Sequence, residues 1–142
     1  MEAFGRMIAV LLTASCMVFF SVFYKNSTVQ RQRNETVRSL VKEYVTDLTE
    51  SGQVSEKRKE RFVKELAVFG VYEIELTIYE RRRYEGETGR MYLYSECRNP
   101  EEDTELISGS YLRVTVKEQK KGKAETFWYG AACTFVAGGM VP

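Results

Sequence analysis

Residues 7–24 read MIAVLLTASCMVFFSVFY, and every other assignment in the chain follows from how this stretch is placed. It contains no charge, no Pro and no Gly, and it is closed by Arg6 on one side and Lys25 on the other. As a helix its 18 residues rise about 27 Å, close to the roughly 30 Å hydrocarbon core of a bilayer. Both flanks are cationic, and Tyr24 stands where an interfacial aromatic belongs. The length disfavours a buried helix of a soluble domain. A cleaved signal peptide is the stronger rival, with Arg6 as its basic region and Thr13-Ala14-Ser15 as a cleavage site. Cleavage there would leave Cys16, Met17, Val18, Phe19 and Phe20 as a very apolar new terminus. An uncleaved single-pass anchor over residues 1–24 is the reading that fits best.

Working outward, residues 25–36 carry Val29 as their only aliphatic side chain, which suits a polar stalk continuing the same helix. A break near Asn26-Ser27 is the alternative. From there Val37, Leu40, Val41, Tyr44, Val45 and Leu48 recur in steps of three and one, the stripe of an amphipathic helix with one buried face. Gly52 is placed to stop it. One helix over residues 7–51 would be about 65–70 Å long. Ser55 predicts a second N-cap with Glu56 in the first turn. Phe62, Val63, Leu66, Ala67 and Phe69 give that second helix a buried side, and Gly70 ends it. Its Lys, Arg and Glu residues are interleaved, as on a solvated face.

The period then changes to two. Ile74, Leu76 and Ile78 alternate with polar neighbours and predict a strand over residues 71–80. Residues 91–94 predict a second strand, joined to the first by a hairpin with a longer loop around Gly86 and Gly89. Residues 99–103 form an acidic loop. Leu112, Val114 and Val116 predict a third strand, and Lys120-Lys121-Gly122-Lys123 a turn. Residues 124–137 are rich in Thr and aromatics and predict a fourth strand, ended by Gly138-Gly139. The fold class is therefore α+β. A long N-terminal helix, transmembrane and then amphipathic, and a second helix pack on one face of a four-stranded antiparallel sheet, with residues 37–142 as the globular domain.

Composition narrows the chemistry. The chain has 142 residues, 21 Lys+Arg against 20 Asp+Glu, and no His. The net charge of +1 argues against a dedicated nucleic-acid binder. Without His, a Ser-His-Asp or Cys-His nucleophile system and the His-containing zinc motifs cannot be built from this chain. No phosphate-cradling loop is present, because Gly86 and Gly89 lack a strand-loop-helix context. The expectation is a protein that is no enzyme, with no catalytic, cofactor-binding or metal site and no small-molecule substrate. Arg81-Arg82-Arg83 and Lys120-Lys121-Lys123 guard strand ends and loop tips, or else touch acidic lipid heads or a partner's acidic surface such as Glu101-Glu102-Asp103-Glu105. Tyr79, Tyr84, Tyr92, Tyr94, Tyr111 and Tyr129 predict a tyrosine-rich sheet. Cys16 lies in the span, and Cys97 and Cys133 are a disulfide candidate if the domain is extracytoplasmic. Asn26-Ser27-Thr28 and Asn34-Glu35-Thr36 match the glycosylation sequon.

A single span running into an amphipathic helix and then a small sheet domain resembles a type IV pilin or pseudopilin. Within that group the chain is most similar to the TadE-like pseudopilins of bacterial tight-adherence (Flp) pilus systems. Thr36-Val37-Arg38-Ser39-Leu40-Val41, Ser51-Gly52-Gln53-Val54-Ser55, Phe62-Val63-Lys64-Glu65-Leu66 and Gly70-Val71-Tyr72-Glu73-Ile74-Glu75-Leu76 look like their helix, turn, second helix and first strand, and Gly138-Gly139-Met140-Val141 like their ending. The prepilin cleavage pattern is not reproduced, since Arg6 and Met7 follow Gly5 and the apolar run contains no acid. The resemblance implies a structural subunit in the cell membrane, held by lipid and packed against other pilin-like subunits or an assembly platform. Ala9, Thr13, Ala14 and Ser15 would permit close helix packing in the membrane. It also implies an extracytoplasmic domain, whereas Lys25, Arg31, Arg33 and Arg38 after the span favour the cytoplasmic side. The alternative function is an anchored ligand- or lipid-sensing binding module.

Overall fold

A computed structural model of the chain describes every residue except Thr88, Glu101, Glu102, Lys120 and Lys121. The acidic pair Glu101-Glu102 and the Lys120-Lys121 turn therefore lie outside the described residues. The first helix, α1, is unbroken over Glu2–Ser51, 50 residues, or about 75 Å at the usual rise. It begins earlier than expected and passes through Asn26-Ser27 without a break. Gly52 stops it in the left-handed conformation (φ 66°) and donates its N–H to the Leu48 carbonyl.

A short strand, β1 (Gln53–Val54), leads into α2 (Glu56–Ala67). Ser55 occupies the N-cap position, but its hydroxyl makes no cap bond. The acceptor is Asp103 Oδ1, which takes the Glu56 N–H at 2.9 Å. Asp103 is held there because the next two residues, β4 (Thr104–Glu105), pair antiparallel with β1. Asp103 is thus fastened to the start of α2.

The main sheet contains β2 (Tyr72–Gly86), β3 (Gly89–Arg98), β5 (Tyr111–Glu118) and β6 (Thr134–Met140), in the order β3-β2-β5-β6 with all neighbours antiparallel. The α+β architecture is the expected one. α1 lies along β5 and β6 and buries Val37, Val41, Tyr44, Val45 and Leu48. Leu76, Ile78, Leu112, Val114, Val116 and Phe135 meet them from the sheet. α2 adds Phe62 and Leu66 to the same cluster, and the Phe62 ring stacks on Tyr44 with centroids 4.2 Å apart. On the opposite sheet face Thr77 is buried between its cross-strand partners Arg98 and Arg113, and the Arg113 guanidinium sits 5.5 Å from the Tyr79 ring centroid.

Several boundaries differ from the sequence reading. β2 and β3 are longer and tighter than expected. They pair until Gly86 faces Gly89, so the connection is a short hairpin and not a longer loop. Arg81, Arg82 and Arg83 lie inside this two-stranded ribbon, beyond the last β2–β5 pair at Tyr79 and Tyr111, and are not at a strand end. Residues 124–137 do not form one strand. Lys123–Tyr129 is a helix, α3, and only the later part becomes β6. Tyr129 accordingly belongs to a helix and not to the sheet. Gly138-Gly139 does not end β6 but lies within it. A Cβ on Gly138 would strike the Tyr111 ring crossing it, and one on Gly139 would come within 3.3 Å of Thr49 and 3.5 Å of Val45 on α1. A side chain at Gly138 would force Tyr111 to move, whereas at Gly139 it would make a tight contact with α1.

Candidate functional site

Two features of α1 give the molecule its character: a bare apolar half and a polar junction where that half meets the domain. From Met1 to Tyr24 every side chain is exposed, including Phe4, Met7, Val10, Leu11, Leu12 and Phe20. α1 is long and apolar enough in this part to cross a membrane, and none of that window is buried inside the protein. Apolar surface on all sides of a helix requires a lipid or protein environment.

The four expected packing residues, Ala9, Thr13, Ala14 and Ser15, do not share one face. At 100° per residue Thr13 and Ser15 point about 200° apart. Ala9, Thr13 and Ala14 line one shallow depression with Val10 and Met17. Ala14 and Ser15 line another with Leu11, Val18, Phe19 and Val22, and there Trp128 of α3 completes the wall. Trp128 packs on Phe19 with ring centroids 5.9 Å apart. Cys16 falls on the Ala9–Thr13 side, at steps of four and three. Thr13 returns its hydroxyl to the Ala9 carbonyl at 2.8 Å, so it presents its methyl outward at no unpaired polar cost.

The junction is built around Arg33, which the sequence reading counted only as a charge of the stalk. Its Nη2 donates to Glu118 Oε1 at the end of β5, and its Nη1 donates to the Phe69 carbonyl after α2 at 3.3 Å. Glu118 is bound on its other oxygen by the Cys133 backbone N–H at 3.3 Å. The next residue, Asn34, donates its Nδ2 to Cys133 Sγ at 3.4 Å. Tyr72, at the start of β2, shares this pocket. Burial pushes its phenol up from the usual range, Arg33 opposes the shift, and Glu118 and Cys133 add to it. The side-chain oxygens of Gln30, Asn34 and Tyr72 and the Nε of Arg33 are buried without a partner. α1, the end of α2 and strands β2, β5 and β6 thus converge on one polar cluster. It fixes the helix to the sheet below the apolar core.

The Cys97–Cys133 pairing is corrected by the topology. Cys97 is on β3 and Cys133 immediately precedes β6, at opposite edges of the sheet, and both are free thiols. Three strand spacings are about 14 Å, twice the Cα separation a disulfide tolerates. Asn34 of the second sequon is half-buried, with its amide turned to Cys133. Among the described residues no three His, Cys, Asp or Glu side chains gather as a metal would need. The groove between α1 and α2 is lined by Glu43, Asp47, Glu50, Arg58 and Arg61, with Arg58 3.7 Å from Asp47 and Arg61 3.2 Å from Glu65. Asp47 and Glu65 pair with the two arginines of the groove.

No family model, curated protein or solved structure matches the chain.

Proposed function

We propose that this chain is a membrane-anchored structural subunit, a minor pseudopilin-like component of a pilus or secretion apparatus, assembling through the N-terminal half of α1. The observation that carries the reading is the continuity of α1. One helix leaves the span, passes the Arg33 junction and becomes the first layer of the domain core. A partner that grips the apolar half therefore holds the whole domain in a fixed direction. In this reading the domain is extracytoplasmic and the β2–β3 ribbon points away from the membrane. The open Ala9–Thr13 side of the span is the packing face, because small residues let backbones approach and dispersion then accumulates.

The test uses Cys16, which shares that face. Mild oxidation of membranes carrying the full chain should cross-link neighbouring copies through Cys16. Cys16→Ser should abolish the product, and Ala9→Leu with Thr13→Leu should reduce it several-fold while membrane insertion is retained. An inserted chain that never cross-links through Cys16 would remove this face from assembly. A reporter fused after Pro142 that proves cytoplasmic would sink the pseudopilin-like reading.

A further inference from the structure

Trp128 and Phe127 are hard to account for in a domain that floats above a stalk. They sit on α3, seven residues inserted between β5 and β6. Phe127 is 65% exposed and Trp128 38% exposed, although both are large and apolar. Their height along α1 is fixed by two contacts. Cys133 meets Asn34 where the sheet ends, while Trp128 meets Phe19. Those positions are separated by about 22 Å along the helix axis at 1.5 Å per residue. α3 therefore lies beside the stalk and reaches into the apolar run. Phe19 lies about 7–8 Å inside the level of Tyr24. That is the depth, roughly 5–10 Å, at which interfacial helices bury their apolar side. Trp is also the side chain most at home at the boundary of headgroups and acyl chains.

We infer that α3 is a second membrane attachment, with Phe127 and Trp128 immersed in the lipid interface beside the anchor helix. The inference rests on the reading that residues 7–24 span the bilayer. Lipid is the occupant because the exposed aromatic surface is continuous with a helix surface that itself needs lipid, at one shared depth. The chain is then held at two points. The domain sits down on the bilayer surface, and the Ser15 side of the span is shielded by Trp128 while the Ala9–Thr13 side stays open for a neighbour.

Trp128 is the chain's only tryptophan, so its fluorescence reports on this position alone. The full chain is reconstituted into phosphatidylcholine vesicles, with flotation checked in parallel. The lipid is then replaced by phosphatidylcholine brominated either near the headgroup or near the chain end. The expected result is a blue-shifted emission, quenched at least about two-fold more by the shallow than by the deep bromines. Phe127→Asp should float as well as the parent and lose most of that quenching. A chain that floats with water-like, unquenched emission overturns the attachment and leaves the span intact. A chain that floats with blue-shifted but unquenched emission has Trp128 covered by another copy, which also overturns it. A chain that does not float refutes the span and the attachment together.

Discussion

The two halves of α1 have the same backbone and opposite surroundings. Over its first 24 residues apolar side chains occupy all sides and are exposed. Around Val37, Val41, Tyr44, Val45 and Leu48 they are confined to one stripe and are buried. The width of the apolar surface, not the helix itself, says what each half is packed in. Between them lies the junction, where burial of polar groups replaces burial of apolar ones. The stripe and the junction belong to the domain's stability, and the all-round apolar half belongs to whatever surrounds it.

The sharpest way to break this comparison is to truncate one Leu in each half. Leu48 is fully buried and Leu12 is 62% exposed. Leu48→Ala should cost about 3 kcal/mol in guanidinium unfolding of the full chain in detergent. Leu12→Ala should stay within about 0.5 kcal/mol in the same measurement. Equal costs would mean that the two halves do not differ in what they support.

The junction should give the next largest effect. Removing either partner leaves the other charge unpaired, with side-chain exposures of 22% for Arg33 and 7% for Glu118. Arg33→Ala or Glu118→Ala should each destabilise by about 2 kcal/mol, less than for a fully buried pair because Arg33 keeps some solvent. The double variant should fall short of the sum by about 1 kcal/mol or more. Strict additivity would show that the two residues do not act as a clasp.

The smallest effect concerns the cap of α2. Asp103→Ala should cost about 1 kcal/mol, and Ser55→Ala much less, because Asp103 and not Ser55 accepts the Glu56 N–H. The reverse ranking, read by the same unfolding midpoint, would return the cap to Ser55.

These predictions also mark where the sequence was legible. α1, the core stripe, Gly52 and the alternation of β2 and β5 were all readable, because each signal is a local period or a single special backbone angle. α3 was not. Thr126, Phe127, Trp128 and Tyr129 favour strands on their own, and the helix exists where Trp128 can pack on Phe19. Gly138-Gly139 read as a stop because the sequence does not show Tyr111 on one side and Thr49 on the other. The small residues of the apolar half read as one group because their number is visible in a string while their azimuth requires the helix to be drawn. Arg33 read as a stalk charge because its partner Glu118 is 85 residues away.

By itself, then, the sequence determined the class of the molecule: an apolar helix of membrane length, an amphipathic continuation, a small antiparallel sheet, and no imidazole for catalysis. Those properties depend on composition and on periods of two or 3.6 residues, which neighbouring positions fix between them. Only the tertiary structure decided that the helix is clasped to the sheet at Arg33, that Cys97 and Cys133 are held apart, and that Trp128 is carried down beside Phe19 of the apolar run. Each of these is a meeting of residues far apart in the chain. Such meetings are set by strand order and packing, which local periodicity does not encode.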